Sequence, residues 1–142
     1  MRISSWSCRA MLLALLASTA FAAQAQIHAQ PGEYAYSVKV KMFGMSMPAV
    51  TFKQCVTQQD IDQGKAYVNN EKQADCSPTD LQWSGADFTV AGHCRNPDRT
   101  MSGKGKASEN GFELVMDVKI EGDMPMTQRQ AISATRVGDC VK

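Results

Sequence analysis

The sequence lacks an excess of charge of either sign. It carries 15 Lys and Arg against 14 Asp and Glu in 142 residues, which gives a formal net charge of +1. Neither a basic stripe nor an acidic run is present. A nucleic-acid-binding protein would show a basic stripe that follows the phosphate backbone. The charge balance therefore excludes nucleic acid as the expected partner.

Histidine is scarce, although much acid–base and metal chemistry depends on it. The two histidines are His28 and His93, and neither is spaced from a second ligand as in a metalloenzyme motif. Carboxylate pairs such as Asp60/Asp62 would need a cleft that separates their pKa values before they could act as acid and base. We therefore expect no catalytic residue, no enzyme activity and no cofactor, apart from the copper alternative given below.

A hydrophobic run long enough to span a membrane is also missing. The apolar run Ala10 to Phe21 follows two arginines and precedes Ala23-Gln24-Ala25, which is typical of a secretory signal peptide. We predict a signal peptide over residues 1–25, cleaved near Ala25, and a single domain over residues 26–142. The mature protein is then expected in the periplasm or outside the cell, with no integral membrane span.

The mature chain has an even set of cysteines, Cys55, Cys76, Cys94 and Cys140. In an oxidising compartment such a set is expected to pair completely as disulfides. The start of one strand and the end of the next lie at the same end of a meander, which favours Cys76–Cys94 and leaves Cys55–Cys140. Four cysteines allow three connectivities, and a Cys55–Cys76 bridge at the base of the helix is an alternative.

The clearest strand begins near Tyr34, where apolar and polar residues alternate as far as Met42. A turn containing Gly and Pro follows, and the run from Val50 to Cys55 predicts its hairpin partner. A capping-box pattern at Thr57–Asp60 predicts a helix over about residues 57–69. The side chains expected to face inward from this helix are Ile61, Lys65 and Val68.

Beyond Thr79 the sequence alternates between short strands and turns. The turn-forming segments are Ser84-Gly85, Asn96-Pro97-Asp98 and Asn110-Gly111. The predicted fold is mainly β: a single curved antiparallel meander or partly closed barrel of about seven strands, with one short helix and two disulfides.

Methionine is unusually frequent in two turn-like segments, which contain Met42, Met45 and Met47, and Met124 and Met126. These residues could be core side chains at loop ends. Because methionine is unbranched and adaptable, they could instead line an apolar binding site. Their thioethers are also soft ligands that suit Cu(I). A copper site would require the two segments to meet at one end of the sheet.

Four segments carry a family resemblance: Pro31-Gly32-Glu33-Tyr34, the turn over residues 42–48, Gln54-Cys55-Val56-Thr57, and Arg136-Val137-Gly138-Asp139-Cys140. With the cysteine spacing and the strand order, they make the chain resemble the bacterial exported family called domain of unknown function 3617. The Gly-Asp-Cys ending is the most specific part. The resemblance implies a bacterial envelope location and a β-rich fold, and it carries no activity with it.

The leading functional hypothesis is an exported, non-catalytic β domain that binds a small apolar molecule or a protein segment. Its expected ligand-binding residues are Tyr34, Tyr36, Met42, Met45 and Met47. The first alternative is a periplasmic Cu(I)-binding or copper-stress protein, with the five clustered methionines as metal ligands. The second is a structural module that associates with an envelope protein through an unpaired edge strand.

Overall fold

A computed structural model describes residues 29–68 and 75–141, so the predicted signal peptide lies outside the described residues. The described part is one antiparallel sheet of eight strands with two short helices, which confirms the mainly β prediction. Neither helix of this part is long and apolar enough to cross a bilayer. The elements are β1 (Gly32–Met42), β2 (Met45–Ser46), β3 (Val50–Val56), α1 (Gln58–Asp62), α2 (Lys65–Val68), β4 (Asp75–Ser84), β5 (Asp87–Arg95), β6 (Arg99–Ser108), β7 (Gly111–Ile120) and β8 (Met126–Gly138).

The strand order departs from a simple meander at β1. Strands β4 to β8 follow one another across the sheet, and β8 then pairs with β1 along nearly the whole length of β1. Both β2 and β3 pair with the other side of β1. The described sheet is not closed into a barrel, and its outer strands are β2 and β3 on one side and β4 on the other.

The helical segment contains two short helices where the sequence predicted one. Thr57 begins α1 with the expected capping box: its Oγ1 accepts from the Asp60 amide at 3.1 Å, and Asp60 Oδ2 accepts from the Thr57 amide at 2.9 Å. The chain then reaches Gly64 with φ +72°, a left-handed conformation that ends a helix and that glycine adopts without strain. Ile61 and Val68 are buried as predicted, and Lys65, which was predicted to face inward only by its aliphatic stem, is half-buried.

One face of the sheet, called the core face below, carries the buried side chains. Along the strands, buried and exposed residues alternate with the period of two that a half-buried strand requires. The register sets large residues beside small ones, because Tyr36 pairs with Ala134, Ala134 with Phe112, and Phe112 with Ala107. The rings of Tyr36 and Phe112 therefore meet across Ala134, with centroids 6.0 Å apart.

Gly105 of β6 makes room for an aromatic ring in the same way. It pairs with Phe88 of β5, and a Cβ at position 105 would overlap the Phe88 ring and lie 2.6 Å from the Glu113 carbonyl oxygen. Phe88 occupies the space beside Gly105 because it is the direct cross-strand neighbour.

The two disulfides join the pairs that strand parity favours. Cys76 and Cys94 are register partners in β4 and β5, and their sulfurs are bonded. Cys55 of β3 is bonded to Cys140, two residues beyond β8, with a sequence separation of 85 residues. The first disulfide ties neighbouring strands, and the second ties the N-terminal hairpin to the end of the chain.

The C-terminal motif, residues 136–140, packs against the start of β1. Arg136 Nε donates to the Pro31 carbonyl oxygen at 3.0 Å, and Arg136 Nη2 donates to Asp139 Oδ1. Cys140 is the partner of Cys55. The segments that carry the family resemblance at the two ends of the domain therefore contact each other.

We expect Gly105→Ala to lower the free energy of unfolding by about 1–3 kcal/mol, because the added methyl group collides with the Phe88 ring and the Glu113 carbonyl. Gly138→Ala is the matched control, since a Cβ there meets nothing within 4 Å. Urea unfolding of both variants measures the difference. Equal stabilities would show that β5 and β6 do not pack as described.

Candidate functional site

Tyr34 and Tyr36, two of the expected ligand-binding residues, lie in the part of the core that is rich in aromatic rings. This part, called the aromatic end, is the region of the core face where β1 begins. Both tyrosines are almost completely buried, at 0% and 1% exposure. Tyr67 of α2 closes the aromatic end from above the sheet. Its ring lies 5.8, 4.7 and 5.0 Å, between centroids, from Trp83, Phe88 and Phe112 respectively.

The tyrosine hydroxyls are held by the protein itself. Tyr34 donates to the Gln30 carbonyl oxygen at 2.6 Å, and Tyr36 donates to the Ala66 carbonyl oxygen at 3.2 Å. Burial raises the pKa of Tyr34, Tyr36 and Tyr67 above the ordinary tyrosine value. Tyr36 and Tyr67 fix α2 to the sheet, and Tyr34 fixes the segment that precedes β1. The structure separates the two predicted tyrosines from the methionines.

The methionines collect at the opposite end of the core face, where β1 ends. Met42 pairs with Met45 on one side and with Gln128 on the other. Met126 precedes Gln128 by two residues, and the Met47 amide donates to the Val40 carbonyl oxygen at 2.8 Å. Directly paired residues of antiparallel strands share a face, as do residues two apart in one strand. This surface, the methionine end, contains Val40, Met42, Met45, Met47, Val50, Met126 and Gln128.

The methionine end is open to solvent along its outer side. Met45, Met47 and Val50 are 68%, 52% and 60% exposed, while Met42 and Met126 are half-buried. Tyr67 and Val68 place α2 against the aromatic end and against β4 and β5. The core face thus continues from a packed region under α2 into an exposed apolar one.

One buried glutamine lies within the methionine end, and a second lies beside it. Gln128 sits between Met42 and Val118 in the sheet register, and Gln130 is buried beside Val40 and Met116. Their exposures are only 8% and 4%. A primary amide supplies both donors and an acceptor, so it can orient a ligand on an apolar wall. Sequence reasoning missed them, although their spacing from Ile132 and Ala134 places them on the buried face of β8.

The fifth clustered methionine, Met124, lies off this surface. It belongs to the turn between β7 and β8 and is 80% exposed. The register places that turn at the same end of the sheet as the β1–β2 turn, because Ile120 pairs with Met126 and Met42 pairs with Gln128. The two methionine segments therefore meet at one end, with four thioethers on the core face and Met124 on the adjacent turn.

The opposite, outer face is polar. A groove of about 500 Å³ crosses it, lined in part by Lys104, Asp117 and Arg129. Arg129 Nε lies 3.9 Å from Asp117 Oδ1, so these opposite charges partly compensate each other. His93 Nε2 is 3.8 Å from Asp98 Oδ1. Among the described residues, no three His, Cys, Asp or Glu side chains are grouped to hold a metal ion.

A family model described as "Protein of unknown function (DUF3617)" matches residues 29–140. No curated protein and no solved structure matches the chain. The matched range includes the aromatic end, the methionine end and both disulfides.

The tyrosine hydroxyls of the aromatic end give a paired test. Tyr36→Phe removes the hydrogen bond to Ala66, and we expect the free energy of unfolding to fall by about 1 kcal/mol. Tyr67→Phe is expected to leave stability unchanged or raise it, because the buried Tyr67 hydroxyl has no hydrogen-bond partner among the described residues. Denaturant unfolding compares the two. A larger loss for Tyr67→Phe would contradict the described packing.

Proposed function

Since the chain belongs to the DUF3617 family of proteins of unknown function, its role must be inferred from its own surfaces, and we propose that it is an exported, non-catalytic domain that binds an apolar ligand at the methionine end. The observation that carries the proposal is the exposure of Met45, Met47 and Val50 on the core face. Side chains on that face are otherwise mostly buried. A contiguous exposed apolar surface commonly marks a binding site.

The composition of the methionine end suits a ligand of variable shape. Methionine side chains have three rotatable bonds and a polarizable sulfur, so they adjust to irregular apolar surfaces. Met42 and Met126 are half-buried and would form the inner part of such a site, while Met45 and Met47 border it from β2 and the following turn. The rigid rings of the aromatic end offer no comparable freedom.

The buried amide of Gln128 indicates which chemical groups the ligand carries. Gln128 adjoins Met42 in the register, so its amide lies beside the apolar surface rather than in the packed aromatic end. A ligand with an apolar body and one hydrogen-bonding group, such as a carbonyl or a carboxyl, would satisfy both the methionines and the amide. We propose a small amphipathic molecule of this kind.

Export is part of the proposal. The arginines, apolar run and Ala23-Gln24-Ala25 of the first 25 residues support it, as does the pairing of Cys55, Cys76, Cys94 and Cys140 into disulfides. Disulfides form and persist in oxidising compartments such as the periplasm. The ligand would then be met in the bacterial envelope or outside the cell.

Binding of Cu(I) is a second candidate, favoured by the register at the methionine end. Met42 and Met45 lie directly opposite each other, and Met42 and Met126 are diagonal neighbours, at about 7–8 Å in a sheet. Long side chains reach across such distances. Three or four thioethers on one face could thus converge on a soft ion.

Native mass spectrometry of the protein released from its own envelope tests export and cargo together. We expect residues 26–142 less four hydrogen atoms, because both disulfides are formed, plus the mass of one small organic molecule. The molecule's mass would identify the ligand directly. An unprocessed chain would contradict export, and a bare processed chain would contradict a stably bound small ligand.

Paired substitutions at Met45 and Met47 separate the two candidates. We expect Met45→Ser/Met47→Ser to weaken binding of an apolar fluorescent dye by roughly tenfold or more, because apolar contact area is lost. Met45→Leu/Met47→Leu keeps that area, so dye binding is expected to change by no more than about twofold. If the copper candidate is correct, the Leu variant loses Cu(I) uptake because it lacks the sulfurs.

Two controls accompany these variants. Val137→Ser removes an exposed apolar side chain at the far end of β8 and should leave dye binding unchanged. Met101→Leu removes a buried thioether and should leave Cu(I) uptake unchanged. Dye binding that survives in the Ser variant would exclude the methionine end as the apolar site, and Cu(I) uptake that survives in the Leu variant would exclude the metal site.

A further inference from the structure

The turn between β1 and β2 holds a phenylalanine in a conformation that phenylalanine disfavours. Phe43 has φ +51° and Gly44 has φ +78°, which is the backbone of a two-residue hairpin turn with both residues at positive φ. Such turns favour Asn-Gly because a bulky side chain is strained in the left-handed region. The Phe43 side chain is also 75% exposed, so no packing within the described residues compensates for the strain.

Two lysines lie close to the same hairpin tip. Lys39 and Lys41 are exposed on β1, and no acidic residue occurs between Tyr34 and Gln59. Lys53, the other basic residue of this segment, lies beside the start of β1, where its Nζ is 3.5 Å from Glu33 Oε2. Lys41 pairs directly with Arg129 of β8, and both lie on the outer face. Like charges opposite each other in a sheet are destabilising. Arg129 also contacts Asp117, whereas Lys41 has no ion pair among the described residues.

We propose that the Phe43 hairpin is an anchor for the surface of an anionic lipid bilayer. Phe43 enters the boundary between headgroups and acyl chains, and Lys41 and Lys39, two and four residues before the tip, contact the anionic headgroups. The apolar tip suits the acyl-chain layer of the bilayer, and the lysines behind it suit the anionic headgroup layer. This interaction uses the turn and the outer face, so it goes beyond the proposed ligand site on the core face.

A lipid surface fits the tip better than a protein does. A stable protein–protein interface buries about 800 Å² on each partner, which requires a broad patch of side chains. The β1–β2 turn consists of two residues, Phe43 and Gly44, between strands that are paired at Met42 and Met45. A narrow apolar projection needs no shaped pocket when its partner is a fluid interface.

Vesicle sedimentation of the mature protein tests the anchor. The probes are phosphatidylcholine vesicles with and without roughly one third phosphatidylglycerol, at low and at physiological salt. We expect wild-type protein to sediment with the anionic vesicles and to be released by salt. Phe43→Asn should reduce the partition coefficient by roughly tenfold, because it removes the inserted ring. Lys41→Gln should weaken only the component that depends on anionic lipid and on salt.

Phe43→Asn is chosen because asparagine suits the left-handed turn, so the variant should fold at least as well as wild type. Val137→Ser is the matched control for loss of an exposed apolar side chain elsewhere. Wild-type protein that stays in the supernatant, or a Phe43→Asn variant that sediments equally, would overturn the proposal. Loss of apolar dye binding in Phe43→Asn would also overturn it, since the tip would then belong to the ligand site.

Discussion

The pairing of β1 with β8 is the constraint on which the rest of the domain depends. This pairing joins the N-terminal hairpin to the C-terminal meander. Its ladder of backbone hydrogen bonds runs along β1 from Glu33 to Met42. Partners so distant in sequence are entropically expensive to bring together. Once they pair, the register decides which residues meet at each end of the sheet. It sets Tyr36 beside Ala134 at one end and Met42 beside Gln128 at the other.

The two ends of the core face differ in the physics of their side chains. At the aromatic end, stiff rings interlock with glycine and alanine, and Tyr36 and Phe52 stack with centroids 5.0 Å apart. Such packing specifies one arrangement. At the methionine end, flexible thioethers border buried amides, and several apolar side chains face solvent. One sheet therefore combines a rigid half that stabilises the fold with an adaptable half that is available for binding.

The local elements were predictable from the sequence because their signals are local. The alternation from Tyr34 to Met42 indicated β1, the capping box at Thr57 indicated the start of α1, and strand parity favoured both cysteine pairs. The pairing of β1 with β8 was not predictable, because no sequence pattern in either strand indicates which strand it pairs with. The burial of the tyrosines was also not predictable, because it depends on β8, β7 and α2, which bring Ala134, Phe112 and Tyr67 to the start of β1. Gln128 and Gln130 were missed because their place beside Met42 and Val40 exists only after β1 pairs with β8.

The disulfides have a consequence for the borders of the sheet. An open sheet presents unpaired backbone groups along its outer strands, which invites strand addition by other chains. Here the two long outer strands, β3 and β4, each contain one cysteine of a different disulfide, Cys55 and Cys76, whereas the two-residue outer strand β2 contains none. Covalent bonds thus hold in place the two strands that barrel closure would otherwise have protected. Reduction would break these bonds, and β3 and β4 would then be held to the sheet by backbone hydrogen bonds and side-chain packing alone.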